Sequence, residues 1–310
     1  MISSLRFPTI LFLSLAVLTP SGLMAQPAPV TVGVFNNNGD SSVGSLGGAL
    51  TVVNTDPSGG VITFGTLASN AMTLSGPLSE VSQNVTFEGP VAGFLVEGAS
   101  GSTAGLTADG VLGLQADSSS FQFGLEGGAA SGAGGNGGDS FLSSSTLNLG
   151  SNSSLLLTGA NGNLGSGTVG GFGGSTFLVP ADMTLDSSSA ATLLGGAGGG
   201  GGTGTAGFDA SAGGDTSFDA TSLTFNSNSN LFLEGGAGAV GGQGTVSTGG
   251  VGSRGGLASL TIGSAVFASA TTLSALGGDG GAGGEGVSQG GAGGVGGGAQ
   301  SDSTTISLAP

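Results

Sequence analysis

Carboxylates and hydroxyls are almost the only side chains in this 310-residue chain with chemistry to offer. It has 18 Asp and Glu, many Ser and Thr, no His, Cys, Lys, Trp or Tyr, and two cations, Arg6 and Arg254. A serine nucleophile needs a neighbouring base, and His, Lys and Cys are all absent. Paired carboxylates are what glycoside hydrolysis requires, and Asp182 and Asp186 are such a pair in sequence. They flank the short alternating segment 183–185, however, and read as solvated turn residues. Polysaccharide cleavage that combines calcium with a basic group would fall to Arg254, which sits among glycines with nothing around it to position it. The sequence therefore points to no catalytic residues and no enzyme.

One metal pattern is present. Residues 134–142, Gly-Gly-Asn-Gly-Gly-Asp-Ser-Phe-Leu, fit the calcium nonapeptide, which makes Asp139 the candidate ligand. In that motif successive copies share each ion, and this is a single copy; the tract around Gly213, Gly214 and Asp215 lacks the leading glycines. The expectation is no cofactor and no metal, with calcium at Asp139 as the exception to test. Phosphate-loop patterns among the glycines lack the following Lys and the helix that would give them meaning.

The balance of charges excludes other classes. The formal charge is −16, so neither nucleic-acid phosphates nor an anionic membrane surface can be neutralised. Without Cys there are no disulfides and no thiolate metal sites. Residues 1–25 read as a Sec signal peptide: Arg6 is the positive start, 10–18 the apolar run, and Leu23, Met24 and Ala25 precede the cleavage point. No later apolar run is long enough to span a bilayer as a helix.

Elements that would position any site come as repeats. Leu114, Leu149, Leu185, Phe225 and Phe267 each end a short alternating segment. A small polar turn and a second apolar segment follow, running into glycines. Leu147 with Leu149, and Leu223 with Phe225, share a strand face at period two. Turns such as Gly150-Ser151-Asn152 and Asn226-Ser227-Asn228 hold residues that tolerate left-handed backbone. A further strand precedes each pair, at 140–142, 176–179, 216–218 and 257–261. This predicts about three short strands per unit, stacked coil on coil with the apolar side chains inside. The glycine tracts, at about 127–138, 159–174, 195–214, 235–256 and 277–299, recur once per unit and so project from one corner. They are expected to be mobile, or glycine-rich two-stranded extensions, or polyproline II-like sheets. No helix is predicted after residue 25.

Residues 30–98 differ from the repeats. An alternating strand from Val30 to Phe35 leads to Asn38, Asp40, Ser41, Ser42, Ser45 and Leu46. An Ile62-Thr63-Phe64 strand and Thr86-Phe87-Glu88-Gly89-Pro90 follow. This resembles the N-terminal segment of bacterial right-handed parallel β-helix surface proteins, as in polymorphic outer-membrane proteins and autotransporter passengers. Gly47 stands where that family usually has Arg, and Ser42 where it usually has Gly. The resemblance implies that this stretch forms the cap and first coils. The C-terminal membrane β-barrel of autotransporters is lacking: no aromatic girdle exists without Trp or Tyr. The final Ser303-Thr304-Thr305-Ile306 reads as the start of an incomplete coil.

The expectation is thus an all-β, right-handed parallel β-helix with long glycine-rich loops on one side. Its parts are 1–25 signal peptide, 26–98 cap and first coils, and 99–310 repetitive solenoid. The function expected is a non-catalytic, exported structural or adhesin-like module, at the cell surface, secreted or periplasmic, with an unknown surface or extracellular ligand. No membrane insertion by the mature chain is expected, and its uncapped last coil suits end-to-end self-association. The alternatives are a polysaccharide-acting lyase or glycosidase, and a truncated autotransporter remnant without separate function.

Overall fold

Period-two alternation becomes strand wherever one face can be covered, and here each coil covers the next. A computed structural model describes residues 30–34, 38–39, 45–64, 71–74, 78, 80–89, 93–116 and 120–308. The leader 1–25 and residues 40–44 of the N-terminal motif lie outside the described residues. Odd-numbered strands build one nine-stranded sheet: β1 (Val30–Val34), β3 (Gly60–Phe64), β5 (Val85–Gly89), β7 (Ala104–Ala116), β9 (Ser140–Leu149), β11 (Thr176–Leu185), β13 (Thr216–Phe225), β15 (Ala258–Phe267) and β17 (Ala299–Leu308). Even-numbered strands build an eight-stranded sheet: β2 (Asn38–Gly39), β4 (Ala71–Leu74), β6 (Phe94–Glu97), β8 (Phe121–Glu126), β10 (Ser153–Thr158), β12 (Ala190–Leu194), β14 (Asn230–Glu234) and β16 (Thr272–Leu276). Each strand pairs in parallel with the strand one coil on. The fold is a right-handed parallel β-helix.

Register stacks like on like. Leu114, Leu149, Leu185, Phe225 and Phe267 form one inward ladder. Leu125, Leu157, Leu193 and Leu233 form the facing one and are fully buried. Each such leucine contributes roughly 1.5–3 kcal/mol by burial. Near the N-terminus the core is aromatic: Phe64 stacks on Phe94 at 4.4 Å between ring centroids, and Phe87 meets Phe123 at 4.8 Å.

Two expectations need correction. Three short strands per coil are in fact two, because the first two merge. In β11 the inward residues are Thr176, Leu178 and Pro180, then Met183 and Leu185. One three-residue step replaces a two-residue step; Ala181 there is unpaired, and the parallel register is the same on either side. A helix also exists, α1 (Leu46–Thr55). Gly47, Gly48 and the β-branched run 51–53 depress its intrinsic propensity. Burial of Leu46, Ala49, Leu50 and Val53 along one face outweighs that. Ser45 caps it, its Oγ accepting from Gly48 N–H at 3.0 Å. The helix packs on β1, β2 and β3 and closes the N-terminal end of the coil stack.

In the four coils from β9 to β16 the turn between the two strands is the same. Asn152, Ser188, Asn228 and Ala270 occupy equivalent corners and all have φ of 56–62°.

Candidate functional site

Each glycine tract leaves a short strand, runs outward, turns, and runs back to the next long strand. The hydrogen bonds of these legs recur every third residue. On the outgoing leg, Gly195, Gly198 and Gly201 N–H donate to Glu234, Ala237 and Val240 carbonyls one coil on, at 2.9, 2.9 and 3.0 Å. On the return leg, Gly207, Ala210 and Gly213 donate to Thr248, Val251 and Arg254 at 2.9, 3.0 and 3.2 Å. A second set crosses between the outgoing and return layers: Gly236 N–H donates to Gly214, Gly214 to Gly196 and Gly196 to Gly174. Three residues per turn without internal hydrogen bonds is the geometry of polyproline II. The tracts are therefore a two-layered slab of polyproline II legs; of the three conformations left open by the sequence, this is the one found.

Glycine is required inside the slab by close approach. A Cβ on Gly196 would land on the Ala160 carbonyl oxygen, and one on Gly214 on that of Gly174. The third residue of each turn faces out, so side chains form a grid. The outgoing face carries Leu164, Val240, Thr203, Gln243 and Glu285; the return face carries Phe172, Arg254, Val295, Asp209 and Val251. Leu164, Val240, Phe172 and Val295 are more than half exposed. Gly200, lying between Leu164 and Val240, floors a shallow trough of about 720 Å³.

The acids singled out in the sequence are parts of ladders. Asp139 Oδ1 accepts from Ser175 N–H at 2.6 Å, Ser175 Oγ from Asp215 N–H at 3.2 Å, and Asp215 Oδ1 from Leu257 N–H at 2.8 Å. This column clamps the return legs where they re-enter the sheet. Asp182 accepts from Ser222 Oγ, and Asp186 accepts from Asn226 Nδ2 at 2.8 Å. Each of these two acids thus bonds the following coil. Among the described residues no three Asp or Glu converge as a metal-binding group. Arg254 lies 3.9 Å from Asp215, with both side chains close to half exposed, an ion pair of little energetic weight.

Sequence reading missed one pair of acids. Register places Glu97 of β6 beside Glu126 of β8, and Thr73 Oγ1 lies 3.4 Å from Glu97 Oε2. They border a cleft of about 250 Å³ with Gly98, Ser100, Gly127 and Ala129. Partial burial, and then the neighbouring Glu97 charge, raise the Glu126 carboxyl above its ordinary range. Each of the two acids follows an apolar strand segment and precedes a glycine, which was the available signal.

No family model matches the chain, and no curated protein matches it. Among solved structures, it is similar to the nine polyproline type II helical bundle springtail antifreeze protein from Granisotoma rainieri. The two are 27% identical, over 56% of this chain and 94% of that one, with a TM-score of 0.19. At that TM-score the likeness carries no inference about this chain.

Proposed function

We propose that this chain is a non-catalytic, exported structural or adhesin-like module, akin to an autotransporter passenger, that presents its glycine slab to a surface or extracellular ligand. The observation that carries this reading is the grid on the slab's two faces. Backbone hydrogen bonds hold most of the slab, so exposed apolar third positions such as Leu164, Val240 and Val295 are open to variation without cost to the core. The leader-like residues 1–25, the resemblance of residues 30–98 to β-helix surface proteins, and the lack of His, Lys and Cys support the same reading.

Surface labelling with an antibody to the folded chain, combined with binding of cells to host or abiotic surfaces, tests it. Deletion of the gene should remove the label and lower adhesion, with restoration by the intact chain. A chain confined to the cytoplasm would sink the proposal.

The Glu97–Glu126 pair favours a second reading, a polysaccharide-acting enzyme, because one acid of the pair is pushed toward the protonated form. Turnover of a polysaccharide panel that disappears in Glu126→Gln would support it.

A further inference from the structure

The outgoing face of the slab alternates bulky and small residues from coil to coil. Gly162, Gly198 and Gly238 N–H each donate to the following coil, the last of them to Asp279, so these legs lie in one register. Two places further on, the outward residues of four successive coils are Leu164, Gly200, Val240 and Ala282. Leu164 and Val240 are 72% and 55% exposed, and Gly200 floors the trough between them. Leu164 and Val240 are ridges; Gly200 and Ala282 are gaps. The row nearer the sheet is Asn161, Ala197, Ala237 and Asp279. The outer side of the short strands repeats the alternation, because register aligns Leu156, Thr192, Phe232 and Ser274. All four of these are partly exposed.

We infer that this face pairs with the same face of a second copy of the chain, about a two-fold axis that runs along the legs between the second and third of these coils. Such an axis reverses the order of the coils and keeps the position along each leg. Ridge then meets gap. Val240 enters the trough over the partner's Gly200, and Leu164 lies over the partner's Ala282. Phe232 likewise meets the partner's Thr192, and Leu156 the partner's Ser274. Polar groups match as well. Asn161 Oδ1 accepts from Ala197 N–H at 2.7 Å, which leaves its Nδ2 to donate to the partner's Asp279 carboxylate. Gln243 meets the partner's Thr203. The other two-fold axis available to stacked legs, along the coil stack, sets Leu164 on the partner's Leu164 and Asp279 on the partner's Glu285, ridge on ridge and acid on acid. Three triplets of roughly 9 Å and four coils about 4.8 Å apart make roughly 500 Å² of slab per copy. With the outer side of the short strands, the pair covers more than about 1,000 Å² in total, which is what a specific contact needs. The return face, with Phe172 and Val295, stays outward in the pair, so pairing goes beyond the adhesin reading without competing with it.

Sedimentation of the full chain from about 1 to about 200 μM tests this, with a reversible dimer of Kd on the order of 10 μM as the expected result. Val240→Asp drives a charge into the partner's trough and should weaken the dimer about tenfold or more. Val295→Asp adds the same charge on the return face and should leave the dimer unchanged. Asn161→Asp keeps an oxygen for Ala197 N–H but sets acid against the partner's Asp279, and should weaken the dimer about tenfold. Adding Asp279→Asn to that chain exchanges the two residues and should restore it. All four side chains are exposed, so thermal melts should coincide with the wild type; Val240→Asp decides the matter if Asn161→Asp disturbs folding. A wild type that stays monomeric at the highest concentration overturns the inference and leaves the face to another occupant. So does a dimer lost equally in Val295→Asp, or one that the exchange of Asn161 and Asp279 fails to restore.

Discussion

Four equivalent corner residues show how a repeat tolerates local misfit. Asn152 and Asn228 take left-handed backbone at φ 60° with a side chain suited to it, but Ala270 takes φ 56° with none. Ala270→Asn should stabilise the chain by about 0.5–1 kcal/mol, raising Tm by about 2 °C in a calorimetric scan. Asn152→Ala should do the reverse. Glu126 makes a second prediction at this scale. Its folded-state carboxyl is raised by desolvation and by Glu97, so the folded chain holds that proton to higher pH than the unfolded chain does. The stability linked to Glu126 is therefore complete below the ordinary carboxylate range and is lost as pH rises through the folded value. Glu126→Gln should raise Tm at neutral pH, on the order of 1 °C, and leave it unchanged near pH 3. Equal shifts at both pH values would show that its charge is not the cause.

At the scale of elements, two kinds of stacking share each coil. Strands stack through side chains, and the legs of the slab stack mainly through backbone, with side-chain ties such as Asp209 Oδ1 accepting from Val251 N–H at 2.8 Å. Gly196→Ala places a Cβ on the Ala160 carbonyl oxygen, whereas Gly290→Ala meets nothing nearer than 3.6 Å. The first should cost about 1–3 kcal/mol, as overpacking does, and the second should leave the melt within about 0.5 kcal/mol of wild type. The strands were legible from period two, and the corners from Asn and Ser. The slab was legible in part, because residues 277–286 read Gly-Gly-Asp, Gly-Gly-Ala, Gly-Gly-Glu, Gly: a triplet whose third place is free. That rhythm marks two inward positions and one outward position per turn. The helix was not legible, since its glycines and β-branched residues speak against it and only the buried face made by the first coils speaks for it. The Glu97–Glu126 pair was hidden for a different reason: it depends on register across coils 29 residues apart, which no local pattern reports.

For the whole molecule, growth by one coil is the same operation from β7 onward. The long strand adds to one sheet, the short strand to the other, and the tract adds two legs to the slab. Leu125, Leu157, Leu193 and Leu233 lie at 0% exposure through four successive coils, so the stack has one continuous core beside a slab that has none. Asp139, Ser175 and Asp215 join the two, since they sit where slab becomes sheet.

Arg254 gives this arrangement a further use. It is the sole cation beyond residue 6, and Gly255 N–H next to it donates to Val295 at 3.0 Å. Trypsin must have an extended, detached segment to cut, so cleavage after Arg254 requires this return leg to leave the slab. The chain thereby carries one internal clock: the rate at which trypsin cuts it should follow the opening of the slab and not the unfolding of the core. A cleavage rate that rises steeply in Gly196→Ala, at temperatures where the far-ultraviolet β signal is unchanged, would show the slab peeling from an intact β-helix.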